Sequence, residues 1–191
     1  IDACLVGSEM CIRDRIFGVQ VGLWRVWTEW AGVRGAVAAV GHSVGEVAAA
    51  VAGGGLSIRE GGMVIGARGV AMKTVLAGRG GDSTGSGAML AVGADEDDEV
   101  VVRALRQGDD AGGRAVIGVV NGPGSIVVSG ARAAVAAVEE ALRGSGVWMQ
   151  RVRVSHGFHS GEVAGAGALV AAAVDAALPP GGRMGGLSLI H

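Results

Sequence analysis

The segment Gly41-His42-Ser43-Val44-Gly45 reads G-x-S-x-G, a pattern in which a serine hydroxyl is pushed out of a sharp strand-to-helix turn. Glycines let such a turn tighten, and N–H groups at the start of the following helix can receive an oxyanion. Ser43 is therefore the candidate nucleophile of an acyl-transfer or ester-cleaving reaction. A serine at its ordinary pKa needs a base to take its proton. Apart from the closing residue His191, the histidines are His42, beside the nucleophile, and His156 and His159 in the string SHGFHS at 155–160. At least one of the latter pair is expected to approach Ser43, and spacing alone does not choose between them.

The elements around these residues suit that chemistry. Residues 36–40, Ala-Val-Ala-Ala-Val, form a short apolar run of buried-strand type, and Glu46 to Ala52 favours helix. Gly53 to Gly55 should end that helix, and another should span about 57–76. Upstream, apolar residues at helical spacing from Ile16 to Trp30, Phe17, Trp24, Trp27 and Trp30 among them, predict an amphipathic helix with its tryptophans in the core. Downstream, 78–86 is rich in Gly, Ser and Thr and reads as a connector. There follow a strand at 88–93, a helix at about 95–107, strands at 115–120 and 125–129, a helix at 131–143 and a strand at 147–154. The order β-α-β-β-α-β is that of a ferredoxin-like module, so 86–155 is expected to be a subdomain inserted into a larger α/β core.

Bulk properties exclude several function classes. The chain has 191 residues, enough for one ordinary domain, and its net charge of −2 gives no basic field for nucleic acid. Half the residues are apolar, yet no run is long enough for a membrane span and no secretory signal opens the chain. A cytoplasmic protein is expected. Both cysteines, Cys4 and Cys11, lie in the first 15 residues, which excludes a disulfide framework, a cysteine-based metal site and a cysteine nucleophile for the body. The strings at 5–15 and 187–191 do not continue the patterns beside them and read as non-native, adapter-derived sequence. The organisation expected is thus a non-native segment at 1–15, a first core part at 16–85, the inserted subdomain at 86–155, a second core part at 156–186 and a non-native tail at 187–191, with the native protein extending past both ends.

GHSVGE at 41–46 leads into EVAAAVAGGGLS, and then come ARGVAMK, GSGAMLAV, VNGPGSIVVSG and VSHGFHS in that order. Together these motifs resemble the acyltransferase domains of modular polyketide synthases, relatives of the malonyl-CoA:acyl carrier protein transacylases. The resemblance runs from Ile16 to about Pro180. It implies an α/β-hydrolase-like core with a ferredoxin-like insertion, and a catalytic pair of Ser43 and His159, the histidine that closes the four-residue motif before Ser160. It also implies that Arg68, in the R-G-x-x-M segment, holds the carboxylate of a dicarboxylic acyl group. A planar guanidinium can do so with two parallel hydrogen bonds. Arg79 lacks that context.

The same resemblance implies malonyl-CoA as donor and an acyl carrier protein as acceptor, with neighbouring synthase domains such as a ketosynthase. It implies no metal, redox or other cofactor and no nucleic-acid or membrane partner. His42 and Val44 beside the nucleophile, with His156 and Phe158, are expected to line the acyl site. In this family H-A-F-H accompanies malonyl units and Y-A-S-H methylmalonyl units. His156-Gly157-Phe158-His159 is nearer the first, since Phe158 would crowd a methyl branch, and Val44 agrees because methylmalonyl domains commonly have Gln there. Gly157 in place of Ala and Gly161 in place of Pro should loosen the loop that carries His159. A glutamine loop that supplies part of the oxyanion hole is expected before residue 16, and a segment that orients the histidine beyond 185; neither is present.

Three readings compete with that one. A methylmalonyl-selective transferase differs only in the acyl pocket. A serine esterase or lipase would want an acid between serine and histidine, and those on offer, Asp95 to Asp98, Asp109, Asp110, Glu139 and Glu140, all fall in the expected insertion. A non-catalytic scaffold would leave the joint presence of Ser43, Arg68 and His159 unexplained.

Overall fold

The computed structural model describes residues 9–33, 38–77, 87–111, 113–154 and 156–177. The connector expected at 78–86, with Arg79, and the tail at 187–191 lie outside them. The chain divides into two compact units, one of residues 1–71 with 167–191 and one of residues 72–166.

The first unit is helical where it is described. Helix α1 (Glu9–Arg25) continues into a π-helical turn (Val26–Trp30), followed by α2 (Gly45–Ala52), α3 (Ile58–Ala77, to Ala71 in this unit) and α6 (Ala166–Ala177, from Gly167). Phe17, Val21 and Ile65 form its small core, with Val44, Val47, Ala48 and Val51 packed against them. Helix α1 starts seven residues earlier than apolar periodicity indicates, inside the segment read as non-native. Extending a helix past a formed turn costs little, so polar residues can join it. The tryptophans expected in the core do not form it: Trp24 is only half-buried, Trp27 is 57% and Trp30 90% exposed. At ~100° per residue Trp30 stands roughly 140° around the helix from Phe17, so the buried stripe cannot include both.

The strand expected at 36–40 falls partly outside the described residues, and 38–40 form no strand, with Val40 94% exposed. A strand needs neighbouring strands to pair its backbone N–H and C=O groups, and among the described residues the first unit has none. Helix α2 ends at Gly53, and Gly54 with φ 76° makes the left-handed turn that glycine favours. Helix α3 opens on a reciprocal cap: Ser57 N–H donates to Glu60 Oε2 (2.7 Å) and Glu60 N–H to Ser57 Oγ (3.2 Å). The backbone and hydroxyl donors of Ser57 lower the Glu60 pKa. This cap is therefore in place at neutral pH and weakens as the pH falls through the lowered value.

The second unit holds β1 (Gly87–Val92), α4 (Glu99–Asp110), β2 (Ala115–Gly122), β3 (Ser125–Ala131), α5 (Arg132–Leu142) and β4 (Met149–Arg151). The β-α-β-β-α-β order expected here is present. All pairings are antiparallel, and the four strands lie in the order β2-β3-β1-β4. Alternation along the strands sends Leu90 and Val92 of β1 and Ile126 and Val128 of β3 into one core with Val101, Val135, Val138 and Leu142 of the two helices. Helix α4 begins at Glu99 rather than about 95, because Asp98 serves as its cap, accepting from Val100 N–H at 2.9 Å. Strand β4 is shorter than the expected 147–154, since after Arg151 only Val152 N–H reaches β1, at Met89 O. Leu90 is fully buried, so Leu90→Ala should lower unfolding free energy by about 2–5 kcal/mol, read from the shift in a denaturant midpoint.

Candidate active site

In the first unit the turn at 41–45 is built as a nucleophile needs it. A side chain at Gly41 would meet Gly45 O at 2.1 Å, so only glycine lets the chain double back there. At Gly45 a methyl would make only an ordinary contact, 3.6 Å from Gln20 Nε2. The tightness thus rests on one of the two motif glycines. Between them Ser43 has φ 54°, a left-handed conformation uncommon outside glycine. The turn is closed by Gly45 N–H on His42 O (2.9 Å) and Glu46 N–H on Ser43 O (3.2 Å). Val44, one residue after Ser43, then caps α2, so its N–H lies at the positive end of the helix dipole. His42 is exposed.

Helix α3 brings Arg68 to that hydroxyl. Gly61, Ile65 and Arg68 share one face, being four and seven residues apart. A side chain at Gly61 would strike Val51 Cγ2 (2.7 Å) and Phe17 Cζ (2.8 Å), so α3 comes close to α1 and α2 through the gap that glycine leaves. Ile65 packs in the small core, and one turn on, Arg68 Nη2 donates to Ser43 Oγ at 3.1 Å. Burial lowers the Arg68 pKa, and the Glu46 carboxylate partly offsets that. The guanidinium stays cationic, as arginine does in proteins.

In the second unit His156, Phe158 and His159 lie on one short loop. His159 has φ 61°, and among the described residues only Ser43 and His159 adopt a left-handed conformation without being glycine. Such backbone outliers gather at functional sites because the surroundings must hold them in place. Phe158 is buried, and its ring meets that of His156 edge-on, with centroids 5.9 Å apart. His156 Nδ1 is buried without a hydrogen-bond partner. Ser160 Oγ donates to Gly157 O (2.6 Å) and accepts from Glu162 N–H (3.2 Å), closing the turn after the histidine.

The looseness expected from Gly157 and Gly161 is absent at the first. A methyl on Gly157 would lie 2.6 Å from Gly130 O, so the backbone there is packed against backbone, whereas Gly161 faces open space. Ser129, Gly118 and Gly130, which pack around this loop, were not singled out by sequence. A lone serine among the apolar residues of VVSG was the available signal. Ser43, Val44 and Arg68 are thus gathered in the first unit, and His156, Phe158 and His159 in the second.

Among the described residues no group of three or more His, Cys, Asp or Glu side chains is gathered to hold a metal ion, and no helix is long and apolar enough to cross a membrane. The acids that a hydrolase would recruit are mostly engaged elsewhere. Asp95 accepts from Gly124 N–H (2.6 Å), Asp98 caps α4, Asp109 accepts from Ala115 N–H (3.3 Å), Glu139 pairs with Arg151 (2.6 Å) and Glu140 with Arg143 (3.2 Å).

Comparison with known proteins gives the same picture. Mycoketide-CoA synthase of Mycobacterium tuberculosis is 39% identical over 159 residues, 83% of this chain and 3% of that protein. The loading acyltransferase of the avermectin modular polyketide synthase is 33% identical with a TM-score of 0.68, over 83% of this chain and 46% of that one. FabD of Acinetobacter baumannii is 25% identical with a TM-score of 0.75, over 87% of this chain and 51% of that one. The chain therefore spans a few per cent of the length of that synthase and about half of these solved chains. Its mixed α/β architecture with a small antiparallel sheet matches acyltransferase-domain folds. Residues 12–190 match the family described as the acyl transferase domain, and with a strained serine turn and an arginine on its hydroxyl, the chain belongs to that family.

Proposed function

We propose that this domain moves a malonyl unit from malonyl-CoA, through an ester on Ser43, to the phosphopantetheine thiol of an acyl carrier protein. The observation that carries the reading is the 3.1 Å contact of Arg68 Nη2 with Ser43 Oγ. A cation that touches the nucleophile is within reach of a carboxylate two bonds from the attacked carbonyl. The malonyl carboxylate takes the guanidinium in a bidentate grip, and His159 takes the Ser43 proton as the hydroxyl attacks the thioester. Val44 N–H helps to hold the oxyanion. The C–S bond breaks and CoA leaves with the proton from His159. The carrier thiol then attacks the ester, again through His159, and Ser43 regains its proton. The steps balance without a metal or redox cofactor.

The acyl pocket of this proposal is malonyl-selective. We assign His42, Val44, His156 and Phe158 to it, and the bulk of the Phe158 ring would disfavour a methyl branch. One methyl is worth about 1–3 kcal/mol in such a pocket. The β2-β3-β1-β4 order of the second unit supports a ferredoxin-like subdomain, set in an α/β-hydrolase-like core. Ketosynthase and carrier domains would be its neighbours in a cytoplasmic synthase. The structural duties of Asp95, Asp98, Asp109, Glu139 and Glu140 count against hydrolysis.

The test uses the full-length protein with radiolabelled malonyl-CoA, alone and with a carrier protein. Label retained on the enzyme and passed to the carrier is the expected result. Rapid release of free malonate without a carrier would instead mark a hydrolase. Arg68→Ala should reduce malonyl loading about 100-fold while acetyl loading changes little, because the lost contact is a charge-assisted pair. Equal losses for both donors would contradict the carboxylate grip.

A further inference from the structure

We infer that Ser129 is a positioning residue for His159, acting through the carbonyl of Phe158. The inference rests on the reading of His159 as the base. Ser129 is fully buried, the one buried polar residue among the described residues outside the glycines. On β3 its neighbour Val128 enters the helix-covered core, so alternation turns Ser129 to the opposite face of the sheet. There Ser129 Oγ donates a hydrogen bond to Phe158 O, 29 residues away.

That carbonyl belongs to the peptide plane joining Phe158 to His159, and rotation of this plane about the His159 N–Cα bond is the φ of His159. Anchoring the carbonyl therefore restrains the unusual backbone angle of this loop, 61° at His159. A left-handed conformation costs a side-chain-bearing residue about 1 kcal/mol or more and persists only where neighbours hold it. Gly118 supplies the second restraint. It sits where the β2–β3 register shifts between Ile117 and Val119, and a side chain there would meet Ser129 Cβ at 2.9 Å, His159 O at 3.2 Å and His159 Cβ at 3.3 Å. A bulge beside a site commonly re-aims what packs on it. The His159 backbone is thus held by the serine hydroxyl and packed on the bare β2 backbone beside that serine.

The experiment is a double-mutant cycle on single-turnover loading of labelled malonyl-CoA by the full-length protein, recording rate, final amplitude and half-saturating concentration. Ser129→Ala should slow loading by ~10- to 100-fold with unchanged amplitude and half-saturation, as displacement of a general base does. Ser129→Cys, a weaker donor of similar shape, should fall between. In a His159→Ala background Ser129→Ala should change the rate less than about twofold, because a residue that acts only through the histidine is silent without it. Should Ser129→Ala not fold, Gly118→Ala carries the same cycle from the neighbouring strand, where a methyl would press on the His159 backbone. Equal losses in both backgrounds, or a rate within about twofold of the parent while His159→Ala is slow, would overturn the inference. A parental rate in His159→Ala would instead overturn the reading of the base itself.

Discussion

Ser43→Ala should abolish transfer of malonyl from CoA to the carrier, by about 10⁴-fold or more in steady-state turnover. The size follows from the proposed chemistry: without the hydroxyl there is no ester to form, and Arg68 and Val44 N–H are left to orient a thioester that nothing attacks. A loss of activity could also reflect a damaged fold, and the left-handed backbone at residue 43 separates the two. With φ at 54°, the serine stores strain that glycine would not. Ser43→Gly should therefore be as inactive as Ser43→Ala and at least as stable as the parent, read by thermal unfolding. An inactive and less stable glycine variant would mean that the turn, rather than the hydroxyl, had been lost.

His159→Ala should lower malonyl loading of the enzyme by about 10²- to 10⁴-fold, with little change in the malonyl-CoA concentration that half-saturates it. A general base acts on the proton in flight and contributes little to holding the substrate, so the loss belongs in kcat. Loading and unloading should suffer alike, because the proposal uses the same imidazole in both half-reactions. His156→Ala should be milder and should act on binding, since His156 is assigned to the acyl pocket. The reverse ranking would transfer the role of base from His159 to His156, the choice that spacing alone left open.

Local patterns were legible in the sequence, and long-range approaches were not. The turn at Ser43 could be read because its pattern lies within five residues, and the β-α-β-β-α-β order because apolar periodicity switches cleanly along 87–151. Arg68 could not be read from periodicity, which makes it a solvated helix charge. Only the family resemblance gave it a role, and the structure then placed it on Ser43 through the gap at Gly61. Trp27 and Trp30 misled because large apolar residues usually lie inside, whereas helix phase turns them outward. Ser129 went unmarked and Gly157 was read as slack because what they touch, Phe158 O and Gly130 O, lies 29 and 27 residues away along the chain. Such close approaches leave no periodic trace. A glycine in a loop can be where two backbones meet rather than a point of slack.

The central claim is that Ser43 carries the acyl group, and peptide mass spectrometry of the acid-quenched enzyme after brief exposure to malonyl-CoA tests it most directly. The account predicts one malonyl group, located on the peptide that contains Ser43 and removed by a carrier thiol. Carrier malonylation with no adduct on the enzyme, or with the adduct on another residue, would contradict it.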